Sequence, residues 1–199
     1  ANASQAQSVK EFDQTLDQLA EQIEAESISL IARRQPLAVD LRHVMAAIRI
    51  ASNLERAGDL ASNIAKRAVA VSPKTVPEEF AESLERMTEL ALAQLRDARL
   101  AFAARDAGRA QAVWERDAAV DALHTILFKD IVQALGEQEH LTLDLAHLLF
   151  VIKNIERIGD HATNIAENVI YLVRGEAPAE DRPKQDGSSL VSKVPSRLE

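Results

Sequence analysis

Cysteine is absent from the 199 residues, which excludes disulfides, thiolate metal sites and cysteine nucleophiles. No apolar run approaches the roughly 20 residues needed to cross a bilayer, and residues 1–20 lack the charged-then-apolar order of a signal peptide. The chain therefore reads as soluble, without membrane insertion. Long basic runs are missing too, and the net charge of -8 argues against a nucleic-acid partner. There is no Gly-rich phosphate loop after a strand, no nucleophile elbow and no H-E-x-x-H pair, so the usual catalytic signatures are absent. Proline and glycine number only six each and cluster at a few places. That scarcity leaves long tracts of Ala, Leu, Glu, Arg and Gln, the residues that favour helix, and almost nowhere for strands to turn.

What is present is helical and doubled. With 47% apolar residues the chain can bury a core. Apolar periodicity predicts helices over about 7–34, carrying Phe12, Leu16, Leu19, Ile23, Ile28, Leu30 and Ile31, and over about 37–72, on either side of Pro36. Pro73 and Pro77 bracket a link. Three more helices are predicted over about 78–105, 108–135 and 139–174, with Asp106 as a cap and Gly108 and Gly136 at the turns. Three long helices make a bundle in the second half, but two cannot enclose a core in the first. From Gly175 onward the apolar period disappears, and residues 176–199 read as a disordered tail.

The doubling lies in the segment Glu55 to Ala65 (ERAGDLASNIA), which returns 101 positions later as Glu156 to Ala166 (ERIGDHATNIA). Glu55, Asp59 and Asn63 stand at i, i+4 and i+8 of a helix, as do Glu156, Asp160 and Asn164. Each copy thus lines two carboxylates and an amide along one face at about 6 Å spacing. On the preceding helices Asp13 and Asp17, and Asp117 and Asp121, form i, i+4 acidic pairs of their own. If the helices of each unit pack antiparallel, four carboxylates converge, hard oxygen ligands suited to magnesium, manganese, iron or zinc. A single acidic i, i+4 pair is the ordinary mark of a solvated face; the repetition of the whole constellation argues otherwise. Gly58 and Gly159 point to close helix contact, Arg56 and Arg157 to salt bridges with neighbouring acids, and Asn63 and Asn164 to either second-layer hydrogen bonds or interhelical pairs. His161 replaces Leu60 in the second copy and is a weak ligand candidate. Trp114 reads as packing.

The stretch Arg33-Arg34-Gln35-Pro36 through Asn63-Ile64-Ala65, with Leu148-Leu149-Phe150 and Asn154 through Glu167, resembles the PhoU family of phosphate-signalling proteins, over nearly all of residues 9–174. The resemblance implies an all-α fold of tandem three-helix bundles related by an internal pseudo-twofold. The first bundle would occupy 1–74 and the second 75–175. It also implies a multinuclear iron or zinc cluster in each bundle, held by Asp13, Asp17, Glu55 and Asp59 in the first and by Asp117, Asp121, Glu156 and Asp160 in the second. The implied role is non-enzymatic: a negative regulator of phosphate uptake and of the phosphate regulon. It would be a cytoplasmic homo-oligomer, such as a homodimer. Its partners would be a sensor histidine kinase and the nucleotide-binding subunit of the phosphate ABC transporter. Regulation of a low-affinity phosphate transporter and a carboxylate-cluster metallohydrolase are the alternatives. One departure is plain: such proteins begin with a further long helix before the region matching Phe12 to Arg34, and only about ten residues stand in its place. Truncation, a segment not included in this chain or an altered start fits better than internal deletion, because the register from Asp17 to Pro36 is unbroken.

Overall fold

The computed structural model describes residues 3–71, 76–176, 178 and 187, and among these there is no strand. The chain forms α1 (Ala3–Arg34), α2 (Val39–Ala70), α3 (Glu78–Ala104), α4 (Ala107–Glu115), α5 (Asp117–Glu137), a 3-10 turn (Glu139–Leu141) and α6 (Thr142–Arg174). The expected all-α architecture is borne out. The tail assigned to 176–199 falls, apart from residues 176, 178 and 187, outside the described residues.

Helix ends follow local chemistry. Pro77 caps α3, whose first turn carries Glu78 and Glu79, well placed against the positive end of the helix dipole. Asp106 accepts from the Arg109 amide at 2.9 Å and starts α4. Gly175, at φ 84°, closes α6.

One boundary differs from expectation. The helix predicted over 108–135 is broken at Arg116 into α4 and α5. No glycine or proline causes it. Arg116 is instead held to α3 at two points: Gln94 Nε2 donates to its carbonyl at 3.1 Å, and its guanidinium pairs with Asp97 Oδ2 at 2.6 Å. The break makes Asp117 the first residue of α5.

α6 is the hub. It packs against α2, α3, α4 and α5, whereas α1 packs chiefly against α2, with Val9 lining an apolar cleft beside Leu92 of α3 and Ile158 of α6. Two apolar clusters surround α6. One gathers Met87 and Ala91 of α3, Leu127 and Ile131 of α5, and Leu145 and Ile152 of α6. The other gathers Ala98 and Ala101 of α3, Ala110 and Val113 of α4, and Ile165 and Ile170 of α6, and it includes Ile50 of α2. The two sequence repeats therefore share a core through α2. α1 is different: Phe12 is 73% and Ile28 58% exposed, so apolar side chains on it are left uncovered by the other described helices.

Replacing Ile152, 1% exposed, by alanine is expected to lower unfolding free energy by about 2–5 kcal/mol, against a change within about 0.5 kcal/mol for Phe12→Ala. Urea melts of the two variants check this.

Candidate functional site: two carboxylate arrays

In the second unit the acidic residues occupy a polar level between the two apolar clusters. The stripe Glu156, Gly159, Asp160 and Thr163 of α6 faces Asp117, Val120 and Asp121 of α5, running antiparallel. Asp117, Asp121 and Glu156 are buried, at 2%, 3% and 5% exposure. Thr163 Oγ1 donates to Asp117 Oδ1 at 2.8 Å, fixing the register of the two helices. Glu156 Oε2 lies 2.9 Å from Lys153 Nζ, which reaches in from an exposed position. Burial holds the Glu156 carboxyl above its usual range; the Lys153 ammonium opposes that, and the Asp160 and Asp121 charges add to it.

The first unit repeats the arrangement in the open. Asp13, Asp17 and Glu55 are half-buried and Asp59 is exposed. Asp17 and Glu55 both have raised pKa values, first through desolvation. The next contributions come from Asp13 and Asp59 at Asp17, and at Glu55 from Asp59, then from Asp17 and Asp13 against the lowering effect of Arg56. All four predicted carboxylates therefore stand in one another's fields. Asp17, Glu21 and Glu55 also line an open cleft between α1 and α2, with Ile48 and Ser52.

The two glycines do the same work in both units. A Cβ on Gly58 would lie 3.1 Å from Asp13 Oδ1 and closer still to Leu16 Cδ1; one on Gly159 would lie 3.1 Å from Gln94 Oε1 and 3.5 Å from Val120 Cγ1. Close approach of the facing helix is thus what glycine permits, as its spacing suggested.

Other expectations part company with the structure. Arg56 and Arg157 are exposed and form no ion pair among the described residues, so the salt bridges expected of them are not made. Asn63 is exposed and, among the described residues, its side chain accepts from Lys66 alone, at 3.4 Å. Asn164 donates to Asn53 at 3.3 Å, and His161 Nδ1 lies 2.9 Å from the same Asn53 oxygen. These two residues therefore join α6 to α2. Trp114 is packed, its indole donating to Glu167 at 3.2 Å.

The sequence reading assigned no part in the site to Thr163, Ser62, His124 or Gln94. Thr163 and its counterpart Ser62 keep a hydroxyl at the same place in both copies, a signal that was available. His124, 1% exposed, follows Asp121 at i+3 and so shares the α5 stripe. Gln94 comes from another helix altogether and has no local signature.

The donor set is oxygen-rich and hard, and Asp13 Oδ1, Asp17 Oδ1 and Gln94 Oε1 are covered atoms with no hydrogen-bond partner. That chemistry fits a magnesium, manganese, iron or zinc centre. Among the described residues, however, no three acidic or histidine side chains converge at ligating distance, so these are arrays of donors rather than closed coordination shells.

A family model described as the PhoU domain matches residues 1–68 and 84–169. The phosphate-specific transport system accessory protein PhoU homolog of Rhizobium meliloti is 45% identical over 189 residues, covering 95% of this chain and 80% of the relative. The homolog of Caulobacter vibrioides is 43% identical over 181 residues, 91% of this chain and 79% of its own. Crystal structures of PhoU from Pseudomonas aeruginosa and of the phosphate transport system regulatory protein PhoU from Streptococcus pneumoniae superpose with TM-scores of 0.82 and 0.80. Their identities are 34% and 30%; they cover 86% and 88% of this chain, and 82% of each of theirs is matched.

The raised Glu156 value sets a pH dependence. The folded carboxyl keeps its proton to higher pH than the unfolded chain, whose carboxyl titrates near the ordinary 4.5. Stability is therefore lost as pH climbs from 4.5 through the raised value, and the penalty vanishes below 4.5. Without divalent cations, Glu156→Gln is expected to melt higher than wild type at neutral pH, with the gap closing toward pH 4.5. Calorimetric scans across that interval check it; an equal gap at every pH would contradict the assignment.

Proposed function

The chain belongs to the PhoU family, and on that premise we propose that it regulates phosphate uptake as a metal-loaded, non-catalytic adaptor. The observation that carries this reading is the doubled acidic motif, folded into two carboxylate arrays within a family whose relatives are named for phosphate-specific transport. Asp13, Asp17, Glu55 and Asp59 would hold one cluster and Asp117, Asp121, Glu156 and Asp160 the other, with iron or zinc as the metals. When bound, such a centre supplies positive charge that offsets the mutual repulsion of the carboxylates and so stabilises the helix pairs. This chain's own part is to hold the donors: α6 positions one carboxylate pair, the break before Asp117 positions the next, and the glycines let the helices close.

The adaptor's partners are a sensor histidine kinase of the phosphate regulon and the nucleotide-binding subunit of the phosphate ABC transporter. Contact with both keeps signalling off when phosphate is plentiful. A homodimer presents two copies of each docking face. No helix among the described residues is long and apolar enough to cross a membrane, so attachment to the cytoplasmic side runs through these partners. The exposed apolar side of α1, with Phe12, Leu19, Ile23 and Leu30, is consistent with a protein that works by contact.

Elemental mass spectrometry on protein purified without an affinity metal is expected to find several equivalents of iron or zinc, falling by about one cluster in Glu156→Gln/Asp160→Asn. In a reconstituted assay, wild-type protein is expected to bind the transporter's nucleotide-binding subunit and the kinase with no turnover of its own. Failure to bind either, with the metal retained, would remove the adaptor reading.

A further inference from the structure

Gln94 is the one polar member of the buried face of α3, which otherwise presents Phe80, Met87, Ala91, Ala98 and Ala101. It is 3% exposed and sits at the level of the acidic stripe, between the two apolar clusters. Its two amide ends have unequal fates. Nε2 donates to the Arg116 carbonyl at 3.1 Å, while Oε1 is covered and accepts nothing.

The orientation of that amide is forced. Turned over, the oxygen would face the Arg116 carbonyl oxygen, with which it cannot bond. The Arg116 carbonyl therefore fixes Nε2 on its own side and sends Oε1 toward α6, where it lies against Gly159, 3.1 Å from the place a Cβ would occupy. Gly159 stands in the stripe between Glu156 and Asp160. An amide seeking hydrogen bonds among carboxylates would turn its NH2 toward the stripe; this one turns its oxygen toward Gly159. A buried carbonyl oxygen left without a donor beside an acidic stripe is unfavourable by itself. It becomes favourable when a cation lies between them, since neutral amide oxygens are ordinary ligands of hard cations.

The repeat sharpens the point. At Gly58 the corresponding space is approached by Asp13 Oδ1, also at 3.1 Å. At Gly159 the equivalent aspartate, Asp117, is engaged by Thr163, and the amide oxygen of Gln94 stands there instead. A carboxylate oxygen in one unit is matched by a neutral oxygen in the other.

We propose that Gln94 Oε1 is a neutral oxygen ligand of a divalent cation held by the second unit, brought to Asp121, Glu156 and Asp160 from α3. This inference rests on the proposal that the carboxylate arrays bind metal. A site assembled from three helices instead of two ties cation binding to the seating of α3 on α5 and α6.

The test uses manganese(II) as the probe on the full chain carrying Asp13→Asn/Asp17→Asn, which weakens the first array and isolates the second. Affinity is read by calorimetry, and inner-sphere water by proton relaxation of the bound ion. Gln94→Met is expected to weaken manganese on the order of tenfold and to admit one further water. Gln94→Glu, which keeps an oxygen but loses the donor to Arg116, is expected to restore or exceed the starting affinity. A purely structural Gln94 would make both variants equally weak, because both lose the Arg116 hydrogen bond; that result, or unchanged affinity in both, overturns the proposal. Adding Asp160→Asn separates the levels: binding that needs Asp160 but ignores Gln94 defeats the Gln94 inference alone, while no manganese binding in the Asp13→Asn/Asp17→Asn protein defeats both readings. Melting without metal verifies that each variant is folded.

Discussion

A helix surrounded on most of its circumference has few places to put a charge, and α6 meets α2, α3, α4 and α5 while carrying Glu156 and Asp160 in its middle. Everything near it is arranged around that constraint. The apolar clusters take the parts of α6 before and after the acidic stripe, which confines the polar groups to one level. At that level α3 offers its one buried amide, the α4–α5 helix breaks, Thr163 engages Asp117, and Lys153 reaches Glu156 from outside. Buried charge is costly unless it is paired or bound, and the Thr163 hydroxyl and the Lys153 ammonium each compensate part of that cost.

The two units share a motif but differ in setting. In the second, α3 lies over the pair formed by α5 and α6; Asp117, Asp121 and Glu156 are buried and Asp160 is half-buried. In the first, α1 and α2 form a two-helix layer whose motif acids remain half-buried or exposed. Desolvation and like charge raise carboxyl pKa values in both, but only the second unit brings a lysine to its motif glutamate: position 52, which corresponds to Lys153, is serine. The same short sequence thus yields an open acidic cleft in one place and a buried polar layer in the other.

Sequence periodicity located the helices well, because long apolar stripes without proline or glycine leave little choice of secondary structure. Asp106 as a cap and the glycines as points of close approach were legible for the same reason: each acts through its immediate neighbours. The break at Arg116 was not legible, because its cause lies 22 residues earlier in Gln94, within a helix whose pattern continues undisturbed. The roles of Arg56, Arg157 and Asn63 were misjudged because charge and spacing do not tell which face of a helix is left to solvent. Asn164 could be placed only once α2 was known to lie against α6, supplying Asn53.

α1 packs chiefly against α2, and its contribution to the first array is therefore conditional on that contact. A helix held on one side can detach as a unit, at a free energy below that of global unfolding, without disturbing the core around α6. Asp13 and Asp17 leave with it, while Glu55 and Asp59 stay behind on α2. The undocking equilibrium of α1 thus limits the apparent affinity of any ligand that needs both halves of the first array. A ligand bridging α1 and α2 would in turn slow amide exchange along the whole of α1, so that occupancy at one end of the molecule is converted into order along a 32-residue helix.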